Sequence, residues 1–137
     1  MKLLQEKIMK EGEYLGNGIL KVDSFMNHQI DPQLMKKMGE ELASRFRDCN
    51  ATRILTAESS GIAPALIAAI ELNIPLVYAR KNKPVTMKGE PYIEKSESHT
   101  HKKDVELIVS SEYLNSNDRV LIIDDFLATA RTILSLV

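Results

Sequence analysis

A run of apolar residues followed by two acids, at positions 119–132, constrains the fold of this 137-residue chain most strongly. The run reads Arg-Val-Leu-Ile-Ile-Asp-Asp-Phe-Leu-Ala-Thr-Ala-Arg-Thr. Its four consecutive apolar residues, 120–123, predict a strand buried on both faces, as in a parallel sheet. Asp124 and Asp125 end that strand, and Thr132 opens a predicted helix. Ligands of open α/β sheets bind at the carboxyl ends of the strands, so we expect function at these two acids.

The residues around the two acids indicate what kind of ligand would bind there. Neighbouring carboxylates repel each other, so a buried pair lowers the stability of the fold unless a cation neutralises its charge or hydroxyls and backbone amides donate hydrogen bonds to it. Residues 128–132 precede a predicted helix and include two threonines. Their backbone amides and hydroxyls can form a phosphate-binding site. Carboxylates suit sugar hydroxyls, so the run predicts a ribose phosphate ligand.

The rest of the chain alternates predicted helices and strands. Helices are predicted at 1–11, 32–49 and 62–72, with Asp31 as the N-cap of the second. Core strands are predicted at 53–58 and 75–81, with shorter ones at 19–22 and 105–109. Residues 82–104 are polar and predict a mobile loop or a weak hairpin. This alternation favours one α/β domain with a mostly parallel sheet.

The composition argues against some kinds of binding partner and indicates a cellular compartment. The chain has 18 basic and 19 acidic residues, for a net charge of −1, so no basic excess favours a nucleic acid or a membrane surface as partner. One cysteine, Cys49, excludes an internal disulfide and a thiolate metal cluster. We find no signal peptide and no stretch of transmembrane length, and therefore expect a cytoplasmic protein.

Two more strand ends are expected to face the same ligand. Residues 58–61, Glu-Ser-Ser-Gly, lie between a strand and a helix and offer amides, hydroxyls and a flexible glycine to an anion. Arg80 and Lys81 end the next strand, and an anionic pyrophosphate group needs such cations. An ordinary turn and a solvated basic strand end are the alternatives; the shared edge of the sheet favours function.

Residues 120–132 resemble the phosphoribosyl-diphosphate (PRPP) signature of the type I phosphoribosyltransferases, in which two acids precede a loop usually written Ala-Thr-Gly-Gly-Thr. The resemblance implies that Asp124 and Asp125 bind the ribose hydroxyls. Residues 79–81 resemble the pyrophosphate loop of the adenine and xanthine branch, which implies that Arg80 and Lys81 bind pyrophosphate. The loop that would hold the 5′-phosphate comprises Ala128, Thr129, Ala130, Arg131 and Thr132. Its third and fourth residues stand where glycines are common, which reduces backbone freedom.

The segment 20–32 resembles the N-terminal part of the xanthine branch. The resemblance implies that Leu20 and Asn27 contact the purine, and an apolar side chain with an amide donor and acceptor suits that role. A turn or cap role for Asn27 is the alternative. The implied reaction transfers the 5-phosphoribosyl group of PRPP to xanthine, with Mg²⁺ as cofactor and a homodimer as the usual assembly.

We therefore expect an α/β type I phosphoribosyltransferase fold, with residues 1–31 as a small base-binding hood and 32–137 as the PRPP-binding core. The chain ends at Val137, five residues past Thr132. Family members continue for another strand or two, so we expect a shortened chain that lacks the C-terminal part of the fold. Three alternatives stay open: a transferase for adenine or guanine, a PRPP-binding regulatory module, and an inactive truncated chain.

Overall fold

The computed structural model describes residues 1–97, 104–127 and 130–137. The N-terminal part contains α1 (Lys2–Glu11), β1 (Glu13–Gly16), β2 (Ile19–Lys21), a π-helical turn (Asp23–Asn27), α2 (Pro32–Phe46) and a 3₁₀ turn (Arg47–Cys49). The remainder contains β3 (Arg53–Ala57), α3 (Ile62–Leu72), β4 (Leu76–Ala79), β5 (Tyr92–Glu97), β6 (Asp104–Val109), β7 (Val120–Ile122) and α4 (Arg131–Leu136). None of the helices in these ranges is long and apolar enough to cross a membrane.

Three parallel strands form the centre of the molecule in the order β4-β3-β7. Ile54 of β3 is in register with Leu76 of β4 and with Leu121 of β7. β6 joins the outer side of β4 through an antiparallel bridge, in which Arg80 and Ile108 exchange hydrogen bonds of 2.9 and 2.8 Å. The predicted α/β architecture is confirmed, although the strand expected at 105–109 runs antiparallel because it is the second half of a hairpin with β5.

Helices α2 and α3 cover one face of the sheet. Ile54 and Ile123 pack there against the small residues of α3 and Ala43 of α2. Leu55 and Ala79 point to the opposite face, where β6 covers them. The expectation that residues 120–123 are buried on both faces is wrong for the first three, which are half-buried, because β7 is the outermost strand of this sheet among the described residues.

The N-terminal segment packs on α2 through a second apolar cluster, which includes Phe25 and Met26 of the π-helical turn. Lys7 of α1 links these elements: its Nζ lies 2.9 Å from Asp31 Oδ2, 3.0 Å from Glu11 Oε1 and 5.8 Å from the Phe25 ring. Asp31 is the predicted N-cap, and its Oδ1 accepts hydrogen bonds from the amides of Gln33 and Leu34. The bond from Leu34 and the Lys7 ammonium lower the pKa of Asp31, so the carboxylate stays charged and holds both helices.

Two boundaries differ from the sequence prediction. The α2 helix ends at Phe46, and the last predicted helical residues form the 3₁₀ turn, with Asn50 in a left-handed conformation after it. Residues 13–16 form a strand that the sequence did not predict, paired with β2 across the expected Gly-Asn-Gly turn. The predicted weak hairpin within 82–104 is present as β5–β6, while its tip at 98–103 lies outside the described residues.

Candidate active site

The acid pair, Asp124 and Asp125, lies where β7 leaves the sheet. The amide of Ile123 donates to the carbonyl of Leu55 over 3.0 Å, which continues the pairing with β3 by one residue. The two acids come directly after this bond, at the carboxyl end of the parallel strands, as predicted. The amide of Asp125 donates to Oδ1 of Asp124 over 3.1 Å, so the first carboxylate is turned back over the chain.

Burial and charge both act on Asp124. Desolvation, followed by the neighbouring charge of Asp125, raises the pKa of Asp124 to about 6. None of the ion pairs between described residues involves either acid. Two half-buried carboxylates side by side are less stable than carboxylates in water or beside a cation. A ligand that brings a cation or hydrogen-bond donors would therefore stabilise the pair.

The turn that opens α3 approaches the acid pair closely. A Cβ placed on Gly61 would collide with Thr56 Oγ1 and lie 3.2 Å from Asp124 Oδ1. Thr56 is fully buried, and its Oγ1 has no hydrogen-bond partner among the described residues. Gly61 is therefore needed for close approach and not for a special backbone conformation, because its φ of −63° and ψ of −21° are open to any residue. No sequence signal distinguishes Thr56, since a threonine within an apolar strand is common.

Glu58 connects two of the predicted site segments. Its amide donates to the carbonyl of Ala79 over 2.9 Å, and its Oε1 accepts from the amide of Lys81 over 2.8 Å. The peptide bond that follows, Glu58–Ser59, is cis. The ends of β3 and β4 therefore meet at one edge of the sheet, as predicted. The role of Glu58 as the acceptor for Lys81 was missed, because a side chain bound to a backbone amide leaves no motif in the sequence.

The two predicted pyrophosphate cations lie in different surroundings. Lys81 is exposed at the sheet edge. The guanidinium of Arg80 lies 5.9 Å from the centre of the Tyr78 ring, and its Nε is buried without a partner among the described residues. Arg80 lines a cavity of about 470 Å³, together with Tyr78 and Tyr113, and the acid pair does not line this cavity. Lys81 is therefore exposed directly after β4, whereas Arg80 is partly buried and lines this cavity.

The predicted phosphate loop is described in part. Ala128 and Thr129 lie outside the described residues. Ala130 adopts φ 60° and ψ 8°, a left-handed conformation that glycine enters without the strain of a Cβ. Arg131 and Thr132 begin α4, one residue before the predicted start. The backbone therefore has the shape that explains why glycine is common at the position of Ala130.

The two predicted base contacts belong to the N-terminal segment. Leu20 ends up half-buried against the apolar cluster that contains Phe25 and Met26. Asn27 is the last residue of the π-helical turn and is exposed, and its side chain forms no hydrogen bond with the described residues. Since the buried Phe25 and Met26 fix this turn, the backbone of Asn27 is held in place, while the side-chain amide is exposed.

Comparisons with known proteins show the family of this chain. The family model of the phosphoribosyl transferase domain matches residues 26–137. A xanthine phosphoribosyltransferase of Geobacillus thermodenitrificans (strain NG80-2) is 55% identical over 137 residues, which is all of this chain and 71% of that protein. The chain belongs to the xanthine phosphoribosyltransferase family. A family member from Bacillus mycoides (strain KBAB4) is 50% identical over 136 residues, covering 99% of this chain and 69% of that protein.

Solved phosphoribosyltransferases share the fold. The adenine phosphoribosyltransferase of Trypanosoma brucei, in complex with AMP, pyrophosphate and ribose 5-phosphate, superposes with a TM-score of 0.73 at 23% identity. The superposition covers 96% of this chain and 59% of that one. The adenine phosphoribosyltransferase of Rhodothermus marinus gives 0.71 at 20% identity over 99% of this chain and 77% of that one. The type I phosphoribosyltransferase fold and the family predicted from the sequence are both confirmed.

Proposed function

We propose that this chain acts in purine salvage by transferring the 5-phosphoribosyl group of PRPP to xanthine, which gives xanthosine 5′-monophosphate and pyrophosphate. The observation that carries the proposal is the 55% identity with a xanthine phosphoribosyltransferase over the whole chain. The aligned region covers the segment with Leu20 and Asn27 as well as the acid pair, so the similarity extends over both the proposed base segment and the proposed ribose site. We also propose a cytoplasmic homodimer without nucleic-acid or membrane partners, in keeping with the net charge of −1.

Each part of the substrate has a proposed set of residues. Asp124 and Asp125 bind the ribose hydroxyls, which suits half-buried carboxylates that form no ion pair with another described residue. Lys81 holds the pyrophosphate at the sheet edge, and Arg80 adds a guanidinium whose buried Nε has no acceptor within the described part of the chain. The hood, residues 1–31, contributes Leu20 and Asn27 to the base. The 5′-phosphate is assigned to Ala128, Thr129, Ala130, Arg131 and Thr132.

The residues present fit a magnesium ion that the substrate itself carries. No group of three or more His, Cys, Asp or Glu that could hold a metal occurs among the described residues. Mg²⁺ at phosphate-transfer sites is commonly held by one or two carboxylates together with substrate oxygens and water. The acid pair supplies that number, and either acid would reach the ion through water. Bound in this way, Mg²⁺ would neutralise charge on the pyrophosphate.

The proposed chemistry requires positioning and electrostatics more than a protein nucleophile. As the bond between C1 and pyrophosphate breaks, positive charge develops on the ribosyl ring and negative charge on the leaving group. Lys81 faces the leaving group, while the acid pair holds the ring by its hydroxyls. Fixing ribose and pyrophosphate at the sheet edge and the base against the hood would bring the base nitrogen to C1 in line with the leaving group.

The experiment that tests the proposal is a steady-state assay with xanthine, guanine, hypoxanthine and adenine in the presence of PRPP and Mg²⁺. We expect the highest kcat/KM with xanthine. Replacement of Asn27 by Ala should raise the KM for xanthine by roughly 3–10-fold, the worth of one hydrogen bond, and leave the affinity for PRPP unchanged. The exposed amide Gln5 on α1, changed to Ala, is the matched control and should have no effect.

Two results would contradict the proposal. A preference for adenine would show that the segment with Leu20 and Asn27 binds a purine other than xanthine. Binding of PRPP with Mg²⁺, measured as a rise in Tm or by calorimetry, without turnover of any of the four bases would show a binding module rather than an enzyme.

A further inference from the structure

Glu58 is the residue at which two edges of the candidate site are tied together. It follows the last residue of β3, and its amide bonds to the carbonyl of Ala79, the last residue of β4. Its carboxylate accepts a hydrogen bond of 2.8 Å from the amide of Lys81, which lies two residues after Ala79. One residue therefore fixes both the end of β4 and the first residues beyond it.

Without Glu58, the backbone at Lys81 would lack a partner from the sheet. The bridge with Ile108 holds Arg80, but β6 provides no further bond to Lys81 in the described residues. A hydrogen bond from an amide to a carboxylate is charge-assisted and stronger than a neutral one. The Glu58 carboxylate is thus the group that sets where the Lys81 backbone lies.

The charge of Glu58 makes this placement informative. A carboxylate next to a pyrophosphate site repels the ligand, so a neutral acceptor would serve better if the position needed only a turn. Here the carboxylate accepts a hydrogen bond from the Lys81 amide, and Lys81 is exposed at the sheet edge. The arrangement places a cation at the sheet edge before the ligand arrives, which lowers the entropy lost on binding.

We propose that Glu58 is a positioning residue for pyrophosphate: it fixes the Lys81 backbone so that the Lys81 ammonium meets the leaving group of PRPP. Glu58 does not itself touch the substrate. This inference rests on the proposed function, because it needs a pyrophosphate group at this edge of the sheet.

Three variants separate this role from a purely structural one. Glu58→Ala removes the acceptor, Glu58→Gln keeps an oxygen at the same reach without the charge, and Glu58→Asp keeps the charge but shortens the reach by one methylene. Glu90→Ala, the loss of an exposed acid elsewhere, is the matched control. Each variant is measured for Mg-pyrophosphate affinity by calorimetry, for the KM of xanthine, and for hydrogen exchange at the Lys81 amide.

We expect Glu58→Ala and Glu58→Asp to weaken Mg-pyrophosphate binding about tenfold and to speed exchange at Lys81, the KM for xanthine staying constant. Glu58→Gln keeps an acceptor but loses the charge assistance, so it should weaken binding by an intermediate factor of about three, and Glu90→Ala should leave binding unchanged. If Glu58→Ala does not fold, the Asp and Gln variants still give the comparison.

Several outcomes would overturn the inference. Faster exchange at Lys81 with unchanged pyrophosphate affinity would make Glu58 a structural residue only. A loss in Glu58→Gln equal to that in Glu58→Ala would show that the charge acts directly. Failure of the wild-type protein to bind PRPP or pyrophosphate would overturn the proposed function and this inference together, whereas intact wild-type binding with unaffected variants would overturn this inference alone.

Discussion

Replacement of Asp124 by Asn should make the folded protein more stable at neutral pH and should abolish its binding of PRPP. The pKa of Asp124 rises from 3.8 to about 6 because the carboxyl is half-buried beside Asp125. A shift of about two units corresponds to about 3 kcal/mol between the two protonation states, as an upper bound. Solvent screens a half-exposed group, so we expect about 1–2 kcal/mol to be recovered when the charge is removed.

The pH dependence follows from the direction of the shift. Because the folded pKa of Asp124 lies above the unfolded value, the protonated carboxyl stabilises the fold below about pH 4, and that contribution is lost as the pH rises through 6. Asn is uncharged at every pH and resembles the protonated acid. The variant should therefore match the wild type near pH 4 and exceed its Tm by about 3–8 °C at pH 7.5.

Thermal melts at steps between pH 4 and 8 measure this difference, and calorimetry with PRPP and Mg²⁺ measures the loss of binding. Asp118→Asn is the control of opposite sign. Hydrogen bonds from the Asn115 amide and the Thr52 hydroxyl lower the pKa of Asp118, so its stabilising effect is present above its unfolded pKa and lost as the pH falls. That variant should be less stable than the wild type at neutral pH. A Tm difference for Asp124→Asn that does not change with pH, or a lower Tm at pH 7.5, would refute the reasoning.

Two further substitutions test packing and backbone strain. Gly39→Ala on α2 should lower the free energy of unfolding by about 1–2 kcal/mol, measured by urea titration, because the new Cβ would collide with Ile67 of α3. Ser44→Ala on the exposed side of the same helix isolates the small gain in helix propensity, and equal effects of the two would contradict the packing argument. Ala130→Gly should raise the stability by about 1 kcal/mol, since it relieves a left-handed alanine, and a fall in Tm would contradict that assignment.

The sequence predicted the parts of the site that depend on chain direction. Parallel strands end at one edge of their sheet, so the positions after β3, β4 and β7 could be placed together from the pattern of strands alone. The N-cap at Asp31 and the turn before β2 were also predictable, because local hydrogen bonds and left-handed backbone select particular residue types. These predictions needed no knowledge of long-range side-chain contacts.

The features that the sequence could not predict depend on where individual side chains point. Glu58 and Lys81 are 23 positions apart, and nothing in their residue types shows that a carboxylate bonds to a backbone amide. The guanidinium of Arg80 lies 5.9 Å from the centre of the Tyr78 ring, and two consecutive cations after an apolar strand do not reveal which neighbour each will contact. The half-burial of residues 120–122 depends on which strand is outermost, which an apolar run does not reveal.

Two unfavourable features lie at opposite ends of the segment that follows β7, and they differ in what a ligand does to them. The charge on Asp124 is opposed by burial and by Asp125, and a bound ribose with its magnesium would relieve that cost. The left-handed backbone of Ala130 costs the same with or without a ligand, because no ligand changes the clash of its Cβ. Stability gained at Asp124 should therefore come at the expense of PRPP affinity, whereas stability gained at Ala130 should not. The contrast distinguishes a destabilising charge that ligand binding needs, at Asp124, from a backbone strain that ligand binding does not need, at Ala130.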